Sequence, residues 1–354
     1  MRRVLVLALV AALGLAVMRA SPSEPLVARP VDHPTEHDFE PPGRSRYLIA
    51  AAGDIACASE PSGPDDPDTC QHDDTANLID GDDIDEVLLL GDNQYETGSY
   101  AAYTHYFDPT WGRAFANISP SPGNHEYGND PSATPNGYFR YFGDLARGPD
   151  GLGYYSFDLG SCPDAPCWHL ISLNSELCFG AGGCGPASDP LDPGRGNRMH
   201  AWLEQDLAAH PDASYPCTLA YWHHPLFSFS SGSGASQAVR PLWELLYLAG
   251  ADVVLVGHSH NYQRWRPQDP EGNRDRDAGI RQFVVGTGGR NHYALQGSTR
   301  PANLAAAQAD AFGILRLTLK ATRYRWTWVG AAGQPGFEDA SDRAVRCVRT
   351  AVSD

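Results

Sequence analysis

Five times along this chain a short apolar run ends in a tight turn and a side chain able to hold a metal ion. The segments are Gly53-Asp54, Gly91-Asp92-Asn93-Gln94-Tyr95, Gly123-Asn124-His125-Glu126, His223-His224-Pro225 and Gly257-His258-Ser259-His260. The runs before them, at residues 47–52, 86–90, 118–122, 218–222 and 253–256, have strand length and the nearly unbroken apolar character of strands buried on both faces. In open α/β sheets the site lies beyond the carboxyl ends of the strands, so parallel strands would carry these loops to one rim. Asp54, Asp92 and Asn124 are 38 and 32 residues apart, about one strand–helix–strand unit each.

A glycine before Asp54, Asp92, Asn124 and His258 lets the chain turn sharply and approach an ion closely. Asp, Asn, His and Tyr form a hard to borderline donor set that suits Zn, Fe or Mn better than a thiophilic ion. Asp92, with two carboxylate oxygens, is the residue placed to bridge two ions. Taken singly these motifs are weak, because a lone Gly-Asp is ordinarily a turn. His258 and His260 say more, since residues two apart on an extended chain face the same side. The weight lies in all five occurring in order at strand ends.

Between the strands the pattern turns helical. Residues 74–79 and 100–107 read as short helices. Met199, Trp202, Leu203 and Leu207 share one face of a helix ending before Pro211, and residues 239–248 form an amphipathic one. Residue 168–173 is a further strand. Alternating strands and helices argue an α/β class with a largely parallel sheet. The last third changes character: 282–285, 313–319 and 324–329 are strands with little helix between them, as in a second sheet or an antiparallel edge. Residues 178–198, rich in Gly and Pro, read as an irregular surface loop.

The start reads as an export signal. Arg2 and Arg3 precede an apolar run from Val4 to Val17, shorter than the about 20 residues that span a bilayer. Residues 1–20 are assigned as a signal peptide, with an uncleaved anchor as the alternative, and 21–45 as a flexible leader. Residues 46–350 form one catalytic domain. Eight cysteines behind such a signal indicate disulfides and a secreted, extracellular protein. The expected pairs are 57–70, 162–167, 178–184 and 217–347. The net charge is −17, and loss of Arg2, Arg3 and Arg19 with the signal deepens it. So acidic a chain lacks the basic footprint of a nucleic-acid binder and is not drawn to anionic membranes. It also repels phosphate esters at long range, so any such substrate needs local cations.

Together the motifs resemble those of the calcineurin-like metallophosphoesterase superfamily: Asp, then Gly-Asp, Gly-Asn-His-Glu, His and Gly-His-x-His. Tyr95, three residues after Asp92, and the Asn261-Tyr262-Gln263-Arg264 tail are similar to the purple acid phosphatase branch. Ala56 stands where other branches have a histidine. The resemblance covers about residues 47–330 and leaves no room for the separate N-terminal β-domain of the large plant enzymes. It implies two packed mixed β-sheets flanked by helices, a four-layer sandwich. It implies a first ion on Asp54, Asp92, Tyr95 and His260, and a second on Asp92, Asn124, His223 and His258. The pair would be Fe(III) and a divalent ion (Fe, Zn or Mn). His125 and Asp92 would be catalytic, with His125, Asn124 and His224 at the substrate. The implied reaction is hydrolysis of a small-molecule phosphate monoester by a metal-bound hydroxide. The alternatives are a phosphodiesterase or nucleotide hydrolase with the same ions, and an inactive secreted binding protein. His72 and His105 read as surface or packing residues, Trp326 and Trp328 as packing, and His292 as packing or as part of the cleft wall.

Overall fold

The protein is described here by a computed structural model covering residues 45–57, 70–80, 84–160, 162, 167–189, 191, 193–211 and 215–348. The expected signal peptide and nearly all of the leader lie outside these residues.

Thirteen described strands make two sheets. The first has six strands in the order β13-β12-β11-β1-β2-β3: β1 (Tyr47–Ala52), β2 (Glu86–Leu90), β3 (Ile118–Ser121), β11 (Gly313–Lys320), β12 (Arg323–Gly330) and β13 (Val345–Arg346). The second has seven in the order β10-β8-β9-β7-β6-β5-β4: β4 (Tyr155–Gly160), β5 (Cys167–Ser172), β6 (Thr218–Tyr221), β7 (Val253–Val256), β8 (Tyr262–Trp265), β9 (Arg281–Val285) and β10 (Leu304–Gln308). Strands β1, β2 and β3 are parallel, as are β5, β6, β7 and β9; the remaining neighbours pair antiparallel. The last third therefore does two things. It supplies the antiparallel edge of the first sheet and completes the second.

The period-two alternation of each central strand feeds two cores. Leu219, Tyr221, Val253, Leu255, Phe283 and Val285 join Leu315, Leu317 and Leu319 of β11 in one cluster between the sheets. Their neighbours Ala220, Val254, Val256 and Val284 turn the other way, onto Met199, Leu203, Leu242, Trp243 and Leu246. The last five lie on helices Arg195–Ala209 and Arg240–Leu248. Strands buried on both faces must be apolar throughout, which is why Val253–Val256 reads Val-Val-Leu-Val. Trp326 and Trp328 are buried, as expected of packing residues.

The short helix near the first motif runs His72–Ala76 rather than 74–79. The earlier start puts Asp73 and Asp74 in its first turn, where the helix dipole favours negative charge. All four expected disulfides are present. Cys217 precedes β6 and Cys347 follows β13, so their bond joins the two sheets.

Candidate metal centre

Each motif sits at the carboxyl end of its strand, but the rim is shared between two sheets. Asp54, Asp92 and Asn124 follow β1, β2 and β3 of the first sheet. His223, His258 and His260 follow β6 and β7 of the second. The rim is thus a seam, rather than the edge of one continuous sheet.

The turns are tight enough to hold three candidate ligands in left-handed backbone, with φ of 59° at Asp54, 48° at Asp92 and 68° at His258. Non-glycine residues rarely adopt this conformation, and such strain collects at functional sites. Gly91, at φ 80°, also makes room for a ligand: a Cβ there would lie 2.6 Å from the His223 ring.

Two quartets of donor atoms result. In the first, the Tyr95 hydroxyl lies 3.0 Å from Asp54 Oδ1, 3.1 Å from Asp92 Oδ2 and 3.0 Å from His260 Nε2. His260 Nε2 is 3.2 Å from Asp54 Oδ1. In the second, His223 Nε2 lies 3.1 Å from Asp92 Oδ2, 3.1 Å from Asn124 Oδ1 and 3.2 Å from His258 Nδ1. Asp92 Oδ2 belongs to both.

The outer bonds fix which atoms face inward. His223 Nδ1 donates to the Leu90 carbonyl at 2.8 Å, and His260 Nδ1 donates to that of Asn291 at 2.6 Å. Each ring therefore turns its Nε2 lone pair to the centre, the arrangement that orients metal-binding histidines. The second oxygens of Asp54 and Asp92 accept from the backbone N–H of His258 and His125, both at 2.8 Å. Asn124 Nδ2 donates to Asn129 Oδ1, leaving Oδ1 inward.

This set fits a cation. One tyrosine proton cannot satisfy three acceptors. Burial would push His223 down, but the Asp92 charge raises it to about 10, and the one proton so held on Nε2 cannot satisfy the three polar atoms around it either. Ligands about 2.0–2.2 Å from one ion stand roughly 3 Å apart, as these do. Burial, with the charges of Asp54 and Asp92, pushes the Tyr95 phenol well above its ordinary value. A cation works in the opposite direction.

His125 lies outside both quartets. Its ring stands 4.3 Å from that of Tyr95, Nδ1 donates to the Glu96 carbonyl at 2.7 Å, and Nε2 lies 3.9 Å from Asp92 Oδ2. His224 also stands outside, its ring 4.3 Å from that of His258 and its Nδ1 2.9 Å from Ser175 Oγ. Burial, with His258 and His223 nearby, holds it well below its ordinary pKa. His292 stacks on Phe312 with ring centroids 4.0 Å apart, and its Nδ1 lies 3.3 Å from the His260 carbonyl, where burial lowers it to about 4. It supports the His260 loop. His72 is buried and His105 exposed.

Several residues at the centre had no role assigned to them from the sequence. Glu126 accepts from the N–H groups of Gly123, Asn93 and Gln94 and from the Tyr103 hydroxyl, tying the second and third loops together. Burial and the Asp92 charge push it up to about 8, against the pull of those donors. Glu96, Arg290 and Tyr293 form part of the rim. Tyr293 stacks on His260 with centroids 4.0 Å apart. A signal for Arg290 existed: it ends the Gly286-Thr287-Gly288-Gly289 turn after β9.

Other clusters do not converge on an ion. Near His72 and near Asp252 the cysteines are spent in disulfides. At Asp158, His169 and His210 the two rings stack at 3.8 Å and 16°, so their in-plane lone pairs run side by side. His169 is instead clasped between Asp158 and Asp206, 2.8 Å from each.

A two-sheet α/β sandwich with donor quartets on its seam defines a metallophosphoesterase framework. Residues 47–262 match the calcineurin-like phosphoesterase family, and the chain belongs to it. It is similar to purple acid phosphatases 22 and 21 of Arabidopsis thaliana, 29% and 30% identical over 37% of this chain. Each match spans 30% of the relative's length. Purple acid phosphatase PPD1 from yellow lupin seeds shares the fold, with a TM-score of 0.64 and 17% identity over 84% of this chain and 54% of that one. So does GAP50, an anchor in the inner membrane complex of Plasmodium, with a TM-score of 0.58 and 11% identity over 87% of this chain and 90% of that one.

Proposed function

We propose that this protein is an exported hydrolase of small phosphate monoesters, working with iron(III) and a divalent ion (Fe, Zn or Mn) held by the two quartets. The fold alone does not decide this, because it is shared with an anchor protein. The observation that carries the reading is the pair of quartets meeting at Asp92 Oδ2, with His125 Nε2 beside them.

Asp54, Asp92, Tyr95 and His260 would hold the first ion, and Asp92, Asn124, His223 and His258 the second. Two such cations neutralise phosphoryl oxygens and acidify water. The Glu96 carbonyl holds the His125 Nδ1 proton, which leaves Nε2 facing the site. There His125 can bind a phosphoryl oxygen or hold the proton that the leaving alkoxide takes up. His224, locked by Ser175, walls the opposite side and limits how a substrate can lie. Four disulfides support export, since they persist in oxidising compartments. Among the described residues no helix is long and apolar enough to cross a membrane.

The test is hydrolysis of an aryl phosphate monoester and an aryl diester across pH by the metal-loaded chain, with Asp92→Asn as the blank. Fast monoester cleavage, abolished in the variant, is expected. Diester-selective cleavage would move the function to a phosphodiesterase. Neither reaction, in protein carrying both ions, would leave a binding protein.

A further inference from the structure

We propose that Arg290 forms a second anion subsite beside the metal centre, and that the preferred substrates carry a second phosphoryl group bonded through oxygen to the scissile one. This rests on the phosphatase reading above and names its substrate class: terminal phosphoryl groups of diphosphate esters.

Four observations converge on Arg290. Its backbone is pinned to the first metal loop: Arg290 N donates to the Asp54 carbonyl at 2.9 Å, and Gly288 N to that of Gly53 at 3.0 Å. Its guanidinium lies over the Tyr95 ring, 4.9 Å from the centroid, which sets a positive charge on the face of that ring. His125 packs against that same ring. The charge and the candidate proton donor therefore flank the same ligand. Finally, the guanidinium is 28% exposed and ion-paired with Glu96 Oε1 at 2.7 Å, while Glu96 is 52% exposed.

That ion pair is exchangeable. A partly exposed pair is weakly held, and Glu96 has open solvent to swing into. A guanidinium has five N–H donors in a planar fork that matches two phosphoryl oxygens at once. In a chain of net charge −17, a polyanionic substrate meets long-range repulsion, and a fixed cation at the rim opposes it locally.

The reaction balances as a hydrolysis. The oxygen of water joins the terminal phosphorus and the bridging P–O bond breaks on that side. The bridging oxygen leaves with the inner phosphoryl group, and the protons of water are shared between the two products. Arg290 would stabilise the charge gathering on the departing phosphoryl group, so a diphosphate needs less help from His125 than an alkyl ester does.

The experiment compares kcat/KM of the metal-loaded full chain for phenyl phosphate, phosphoglycolate and ADP. Wild type, Arg290→Ala, Arg290→Lys and Glu96→Gln are assayed together. The ratio of ADP to phenyl phosphate should fall tenfold or more in Arg290→Ala, through KM for the bound anion and kcat for the departing one, and recover in part in Arg290→Lys. Glu96→Gln should raise it, because Arg290 loses its competitor. Phosphoglycolate separates a general anion site from a phosphoryl site: dependence on Arg290 as strong as that of ADP would overturn the phosphoryl assignment. An equal loss for ADP and phenyl phosphate would show that Arg290 merely props the Glu96 carbonyl under His125, and would overturn the subsite. Calorimetric binding of methylene diphosphonate against inorganic phosphate reads the subsite without turnover. A wild type that hydrolyses nothing but binds the diphosphonate through Arg290 would sink the phosphatase reading and keep the subsite; equal binding in wild type and Arg290→Ala would sink the subsite.

Discussion

Glu86 is a carboxyl group in a place built for apolar side chains. It opens β2, a strand buried along its whole length, and only 5% of it meets solvent. Burial pushes its pKa from 4.5 up to about 8, with the Asp85 charge adding to the rise and a hydrogen bond with Ser119 opposing it. Between those two values the folded chain keeps a proton that the unfolded chain has released. Stability is therefore complete below pH 4.5 and declines as pH rises toward 8. Each pH unit inside the window removes about 1.4 kcal/mol, so about 3 kcal/mol is lost between pH 4.5 and pH 7. Glu86→Gln removes the titration and keeps the shape. Urea unfolding of both proteins at half-unit steps from pH 4.5 to 8 should show the variant gaining on wild type by about 3 kcal/mol by pH 7. Any fixed effect of the amide shifts all points equally. A difference that stays flat with pH would refute the claim that Glu86 is folded in its neutral form.

His169 behaves in the same sense, in a higher pH window. Burial alone would push it down, but hydrogen bonds to Asp158 and Asp206 raise it, so its contribution is full below about pH 6.5 and is lost as pH rises through the raised value. His169→Gln should cost about 3 kcal/mol at pH 6 and progressively less under alkaline conditions in the same unfolding assay. Replacing Cys217 and Cys347 with serine opens a span of 130 residues and should cost about 4 kcal/mol of stability, read as a lowered denaturation midpoint. Tyr95→Phe should remove a visible charge-transfer band and lower iron content from one equivalent; a colourless, iron-free, fully active wild type would exclude a ferric site.

What could be read in the sequence was what burial makes redundant. Val253–Val256 and Glu86–Leu90 announce themselves because strands covered on both faces can hold little but apolar side chains. Strand β8 was hidden because Tyr262-Gln263-Arg264-Trp265 is polar. Arg264 is accommodated by Asp339, 75 residues away, through two hydrogen bonds of 2.8 Å. Strand β10, Leu-Ala-Ala-Ala-Gln, has the composition of a helix and is extended only because β8 pairs with it. The candidate metal-binding residues were legible because each is bound to a turn. Glu96 was not, because a single charge on a loop looks the same whether it faces solvent or a rim; Arg290 was marked only by the glycine-rich turn before it.

The first sheet is assembled from the two ends of the domain. Strands β1 to β3 come from residues 47–121 and β11 to β13 from residues 313–346, while the whole second sheet lies between them in the chain. During synthesis Asp54, Asp92 and Asn124 emerge before any of their histidine partners, and β11, which pairs with β1 on its other side, emerges only after all of them. The seam can close only when nearly the whole domain has left the ribosome. Tight ion capture then becomes a report of completed assembly, and a chain stalled before β11 holds all the donor atoms yet lacks the frame that aligns them.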